Sequence, residues 1–466
     1  CGGGKGGGKD VDARHKAGHD EKQNELHMNV VERSKPAMAR NVRRLGHIDL
    51  PGAGQVCVAG SHAYVGHIPN KDHLGTSIVD ISDPANPRVV ATITLDDHTS
   101  HSHKARVVGD IMIVNHERNP TAIGRRADEL PRVVKELTAA KGRAPTHAEI
   151  ATWLGVEPQD VAEIEAEAKR GYTTGGFKVY DVSNPAKPKE IAHQKTGGIG
   201  VHRFDMDERY AYISTEMEGY IGNILVIYDM RDPAKPQEIS RWWMPGQHIA
   251  GGETPTWLGR QNRLHHALRF GDEMWASCWH GGFRIVDVSD LSRPKTKGGY
   301  NYHPLFPEPT HTAMPVPKPI NGKRIALAVD EEDQAQSANE EQMRRGRAHA
   351  CILTFDVSDM ADIKPLGQFQ VSELDSPFAR TAGARFGAHQ FCERMAGTIC
   401  FATWFGGGLR VVDVGNPLSP REIGHFIPEP AGGRAAPQTN DVALDDKGLA
   451  YIVDRYVGFD VLEFKG

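Results

Sequence analysis

Five histidines recur at one place in a repeating unit. The chain holds 23 histidines in 466 residues, and His103, His202, His266, His311 and His389 each stand where the first strand of a unit should begin. The same position holds Gln55 in the first unit and Asp441 in the last. Seven random positions at this composition would hold fewer than one histidine, so the pattern belongs to the repeat. Imidazoles converging from several strands suit copper, zinc or iron, with nitrogens about 2.0–2.1 Å from a zinc ion. The five are the candidate metal ligands. Gln55, His101, His265 and Asp441 are candidates for extra ligands or for partners that orient the imidazoles. Duplication of a histidine that only hydrogen-bonds the next unit would leave the same trace.

The ends of the second strands should open on the same side. They carry His67, His116, Glu216, Trp279 with His280, Asp330 with Glu331, Trp404 and Asp454. A carboxylate or imidazole near a metal-bound water can act as a general base, which makes Glu216, His116 and His280 the catalytic candidates. Aromatic walls with a few convergent polar groups are the usual make-up of a ligand pocket.

The elements that must position these residues are short strands. A β-branched run, an Asp and an Asp/Asn/Pro turn recur as SIVDISDPANP at Asp80, KVYDVSNPAKP at Asp181, VIYDMRDPAKP at Asp229 and RIVDVSDLSRP at Asp287. The series continues as LTFDVSDMADIKP at Asp356, RVVDVGNPLSP at Asp413 and a shortened GFDVLEF at Asp460. Four strands fit each unit of about 50 residues. The seven Asp residues read as turn formers whose side chains accept nearby backbone N–H groups. These strings resemble the LVIVD repeat family, whose members are β-propellers. The resemblance covers nearly everything after about residue 36.

The expected fold is all-β: a seven-bladed β-propeller of four-stranded antiparallel blades. Its last unit lacks a fourth strand, and Arg40–His47 resembles the PREIGHF strand around His425. An N-terminal strand within residues 36–50 should therefore close the ring, in one domain spanning 36–466. Two insertions interrupt the repeat. Residues 119–171 show helical three-and-four spacing of apolar residues, giving an α-helical insertion in the second blade; part of it resembles the helix-turn-helix segment of sigma factors. Residues 330–349 form a charged loop insertion. Both should lie over the candidate site as lids or as partner-binding surfaces.

Composition narrows the partners. Lys plus Arg number 55 against 60 Asp plus Glu, a formal charge of −5, and no long basic run marks a nucleic-acid binder. No apolar run reaches the 18 residues of a membrane-spanning helix. The opening CGGGKGGGKD resembles a bacterial lipoprotein after signal-peptide cleavage, with Cys1 acylated and residues 1–35 a flexible tether. That resemblance implies a lipid-anchored place in the cell envelope, with Gly2 favouring the outer membrane or cell surface, and other envelope proteins as partners. In an oxidising periplasm Cys392 and Cys400, read as opposite one another in a hairpin, can form a disulfide. Cys278 reads as lying opposite His266.

Two functions fit these residues. One is an exported, lipid-anchored propeller holding a transition metal on its histidine ring for oxidoreductase or hydrolase chemistry on a small molecule. Copper is the preferred ion by analogy with nitrous-oxide reductase and selenium-binding-type methanethiol oxidases, which are propellers using histidines and copper; zinc and iron remain alternatives. The other is a non-catalytic cell-surface scaffold or accessory subunit binding protein or glycan.

Overall fold

A computed structural model describes residues 38–96, 99–119, 122–257, 262–333 and 348–466. Cys1 with the tether at 1–35, His98 and most of the charged insertion at 330–349 lie outside the described residues.

Each repeat folds into antiparallel strands because its β-branched run is buried on both faces. In the first unit Ala53–Ala59, His62–His67, Leu74–Asp80 and Arg88–Thr94 pair in that order. The middle strands bury Val65, Ile78 and Val79 completely, whereas the fourth is largely solvent-facing. The turn after the third strand is built by its Asp. Asp80 Oδ1 accepts from Ser82 N at 2.9 Å, and Asp181, Asp229, Asp287, Asp356 and Asp413 accept from the residue two places on at 2.8–3.1 Å. These carboxylates are thus spent on local turns.

The expected seven-bladed propeller of separate four-stranded blades is corrected by the strand pairing. Among the described residues the strands make six antiparallel sheets, of five, nine, four, four, four and four strands, and not seven closed blades. Two local causes are visible. The strand Ile111–Arg118 continues past its own hairpin, so that Glu117 pairs with Gly200 and the second and third repeats merge into the nine-stranded sheet. Met38–Arg40 pairs with Arg421–Ile427 and adds a fifth strand to the sixth repeat. Val42–Ile48 pairs with the chain's final strand, Gly458–Phe464.

Between Ile111–Arg118 and Gly176–Asp181 the chain forms three helices: α1 (Ala122–Lys141), α2 (His147–Leu154) and α3 (Val161–Arg170). A capping box starts α2: Thr146 accepts from Glu149 N while Glu149 reaches back to Thr146 N. Gly155 ends it in the left-handed conformation. The helices share their own apolar core, with Val133, Ile150, Leu154, Val161 and Ile164 at 0–2% exposure, and Arg118 pairs with Glu167 to tie α3 to the preceding strand. Among the described residues, no helix is long and apolar enough to cross a membrane.

Candidate metal centre

The first strand of most repeats carries a β-bulge near its start. The ladder skips one residue between Ala53 and Gln55, Val201 and Arg203, Thr310 and Thr312, Ala388 and Gln390, and Thr439 and Asp441. The skipped residues are Gly54, His202, His311, His389 and Asn440. In the fourth repeat His266 pairs with Ser277, and the preceding His265 N–H donates to the same Ser277 carbonyl at 2.7 Å. A bulge re-aims one side chain while its neighbour keeps the ladder. Consecutive residues therefore fall into two layers.

The bulge layer contains a string of imidazoles. Ring centroids are 5.0 Å apart for His101–His103, 5.2 Å for His103–His202, 4.9 Å for His202–His265, 4.2 Å for His265–His311 and 4.4 Å for His311–His389. A glutamate lies toward each end. Glu117 stands 3.3 Å from His101 Nε2, 3.6 Å from His103 Nδ1 and 2.8 Å from His202 Nδ1. Glu331 stands 3.8 Å from His311 Nε2 and 3.6 Å from His389 Nε2. Two groups, His101/His103/Glu117 and His265/His311/Glu331, each bring three ligand atoms within 4.8 Å of one another and could hold a metal ion.

Hydrogen bonds set which ring nitrogen is available in four of these histidines. His202 Nδ1 donates to ionised Glu117, His265 Nδ1 to the His311 carbonyl at 2.6 Å, and His389 Nδ1 to the Asn440 carbonyl. His311 Nδ1 donates to Thr312 Oγ1 at 2.9 Å, because that hydroxyl gives its own proton to Gln390 Oε1. In the neutral imidazole each Nε2 then carries a lone pair, and that of His311 accepts from Arg203 Nη2 at 2.5 Å. This is the orientation in which a histidine binds a metal while its second nitrogen is held by an outer partner. His202 Nε2 and His265 Nε2 are 3.1 Å apart, and two nitrogens about 2.1 Å from one ion lie about 3.0–3.5 Å from each other. His103 differs: Asn115 Nδ2 donates to its Nδ1 at 3.0 Å, fixed by Asn115 Oδ1 accepting from Lys104 N.

Burial keeps His265 and His311 well below the ordinary imidazole range, and brings His389 to about 3 against the pull of Glu331. Burial would raise both glutamates. His202 and His101 instead hold Glu117 well below the usual carboxylate range, and His389 with Arg385, Arg455 and Arg203 holds Glu331 at about 2. Neutral His265, His311 and His389 beside ionised Glu331 form a donor set that could hold a cation.

The second layer holds Gln55, Lys104, Arg203, His266, Thr312, Gln390 and Asp441. Three candidates from the sequence, His266, Gln55 and Asp441, fall in this layer. His266 does not join the other candidate ligands: its Nε2 faces Lys104 Nζ at 2.9 Å and Glu393 at 3.5 Å, and His265 takes its place in the string. Gln55 and Asp441 also belong to this layer, with Asp441 accepting from Val56 N at 3.0 Å and pushed up to about 7 by burial. They line a cavity of about 130 Å³ together with Lys104, Arg106 and Glu393. Lys104 and Arg106 both pair with Glu393, and Arg106 also pairs with Asp205.

Each catalytic candidate has a described neighbour outside the string. His116 lies against His193, at 5.4 Å between ring centroids, and His280 against His303, at 5.5 Å. Glu216 accepts from Ile199 N at 3.2 Å. His67 is bound by Pro51 and Ser77, Trp404 is wholly buried in the core, and Asp454 accepts from the backbone of Gln438, Tyr456 and Val457.

The expected Cys392–Cys400 bridge is absent, both thiols being free and buried. Phe391 pairs with Ala402, and Cys392 N–H donates to the Phe401 carbonyl, so the hairpin is one residue out of the expected register. Cys278 likewise does not face His266, which pairs with Ser277. The sequence reading missed Glu117, Arg203 and Asn115. Each is adjacent to a chosen residue or one strand away, but which face it takes depends on the bulges.

Comparison with known proteins gives a repeat family and distant structural likenesses. No curated protein matches the chain. The C-terminal WD40 domain of Sif2 aligns over 92% of this chain and all of its own length at 8% identity, with a TM-score of 0.49. A mitotic checkpoint complex chain aligns over 97% of this chain and 98% of its own at 10% identity, with a TM-score of 0.49. A protein from Lactobacillus plantarum aligns over 61% of this chain and 73% of its own at 9% identity, with a TM-score of 0.43. The LVIVD repeat model matches residues 52–94, 172–196, 277–302 and 401–427, so the chain carries LVIVD repeats.

Proposed function

We propose that the bulge-layer histidines and their two glutamates hold a transition metal, copper by preference, for chemistry on a small molecule. The observation supporting this is that His202, His265 and His389 each have Nδ1 bound to an acceptor, leaving Nε2 as the metal-facing nitrogen, while His311 Nε2 would have to exchange its hydrogen bond from Arg203 for the metal. Imidazole donors suit copper, zinc and iron, and the general order of affinities places copper(II) first. The bound ion would supply Lewis-acid or redox chemistry. The chain's own groups do the rest: Glu117 orients His101 and His202, Glu331 places a negative charge beside His311 and His389, and burial excludes bulk water.

Metal analysis of protein purified from copper- and zinc-replete cells tests this reading. Stoichiometric metal is expected in the wild type and its loss in the His311→Ala, His389→Ala double variant. Wild-type protein that is metal-free and takes up neither copper nor zinc on dialysis would overturn it, leaving the accessory binding module as the reading to pursue.

A further inference from the structure

The bulge layer is bordered by donors that no acceptor meets. Arg203, 3% exposed, donates from Nη2 to His311 Nε2 at 2.5 Å, but its Nε and Nη1 have no hydrogen-bond partner among the described residues. Arg385, 8% exposed, spends Nη1 on Glu331 and the Glu332 carbonyl, and its Nε is also unpartnered. Trp279 Nε1 is a fourth such donor, on a ring 4.6 Å from His265. Arg385 and Arg455 both lie over Phe405, at 3.9 and 5.4 Å, and that ring is 4.8 Å from His389.

Buried donors without acceptors are uncommon, because desolvation is not repaid. These four are N–H groups, three of them on guanidiniums; His101 Nδ1, Ser277 Oγ and Gln55 Oε1 are also without a partner among the described residues. Glu331 is the carboxylate that acts on Arg203, Arg385 and Arg455 together, while Glu117 also acts on Arg203 and Asp454 on Arg455. Asp441 and Glu393 of the second layer also act on Arg203, yet neither supplies an acceptor to Nε or Nη1. Guanidinium forks match the two oxygens of a carboxylate or oxyanion.

We propose that the histidine layer binds a small carboxylate or inorganic oxyanion, with Arg203 as its main cation and Arg385 and Trp279 as further donors. As the substrate class of the metal centre this rests on the metal reading; as an anion site it stands on the arginines alone. Arg203 then acts as a binding residue beside His311, and a metal at the imidazoles would strengthen the attraction.

Titration calorimetry with oxalate and with inorganic phosphate, on metal-free and on copper-loaded full-length protein, tests this. At least one anion is expected to bind the wild type. Arg203→Met should weaken binding to the metal-free protein by tenfold or more, and Arg203→Lys should restore part of the loss. Should Arg203→Met fail to fold, Arg385→Met is expected to give a smaller loss of the same kind. Binding that persists unchanged in both variants, or no binding of either anion to wild type in either metal state, would overturn the proposal. An anion that binds metal-free protein through Arg203 would sustain it even if no metal is ever found.

Discussion

His202 and His265 face one another through their Nε2 atoms at 3.1 Å, each with Nδ1 already donating, to Glu117 and to the His311 carbonyl. Rings so held set Nε2 against Nε2, an arrangement that a shared proton or a cation satisfies. The pair joins the two His/Glu groups into one continuous string. His265→Ala should therefore lower the metal-to-protein ratio, whereas His266→Ala, whose ring serves Lys104, should leave it intact while reducing stability. Equal metal loss in both variants, measured by elemental analysis, would sink the two-layer assignment.

The histidine layer also depends on a glycine that carries no chemistry. A Cβ on Gly66 would fall 2.3 Å from the His103 carbonyl carbon and 2.5 Å from Lys104 N, so backbone would have to move where His103 enters the string. Gly66→Ala is expected to cost about 1–3 kcal/mol, in the range of overpacked cores, and to lower metal occupancy. Denaturant melts with metal analysis check both, and an unchanged metal content would show that His103 tolerates the shift.

His349 gives the protein a stability term that fades in alkali. Burial alone would lower its pKa, but hydrogen bonds and charge from Glu332 and Glu373 raise it to about 9. A folded pKa above the unfolded value means the stabilisation is complete below about pH 6.5 and is lost as pH rises through about 9. The shift corresponds to at most about 3 kcal/mol. Unfolding free energies of wild type and His349→Gln should converge between pH 7 and pH 10; parallel profiles would contradict the assignment.

Acid should act in the opposite sense through histidines buried in neutral form. Burial lowers His67 to about 4, and burial with the Lys104 charge takes His266 well below the ordinary range. Between about pH 6.5 and 4 the unfolded chain binds protons that these rings refuse, so stability falls with pH by about 1.4 kcal/mol per unit for each. Metal-free protein should show this slope in denaturant melts at pH 7, 5.5 and 4.5, and His67→Gln should flatten it. A slope unaffected by the substitution would place the acid sensitivity elsewhere.

Much was legible from residue types alone. The recurring Asp at 80, 181, 229, 287, 356 and 413 makes turns because an Asp two residues before a backbone N–H can accept it in any short hairpin. The helical insertion was readable for a similar local reason: apolar spacing together with Thr146 and Glu149 specifies a capped helix. The gathering of His103, His202, His311 and His389 followed from their equal places in the repeat.

What sequence could not decide was register and pairing between distant strands. One skipped residue per bulge exchanges the faces of neighbours, so His265 rather than His266 joined the string, while Gln55 and Asp441 dropped to the second layer. The same single-residue shift removed the expected Cys392–Cys400 contact. The merging of two repeats turns on Glu117 meeting Gly200, a contact between strands separated by the whole helical insertion. Local chemistry thus determined the turns, the repeat and the histidine excess. Tertiary pairing chose which imidazoles meet, and set Glu117, Glu331 and Arg203 beside them.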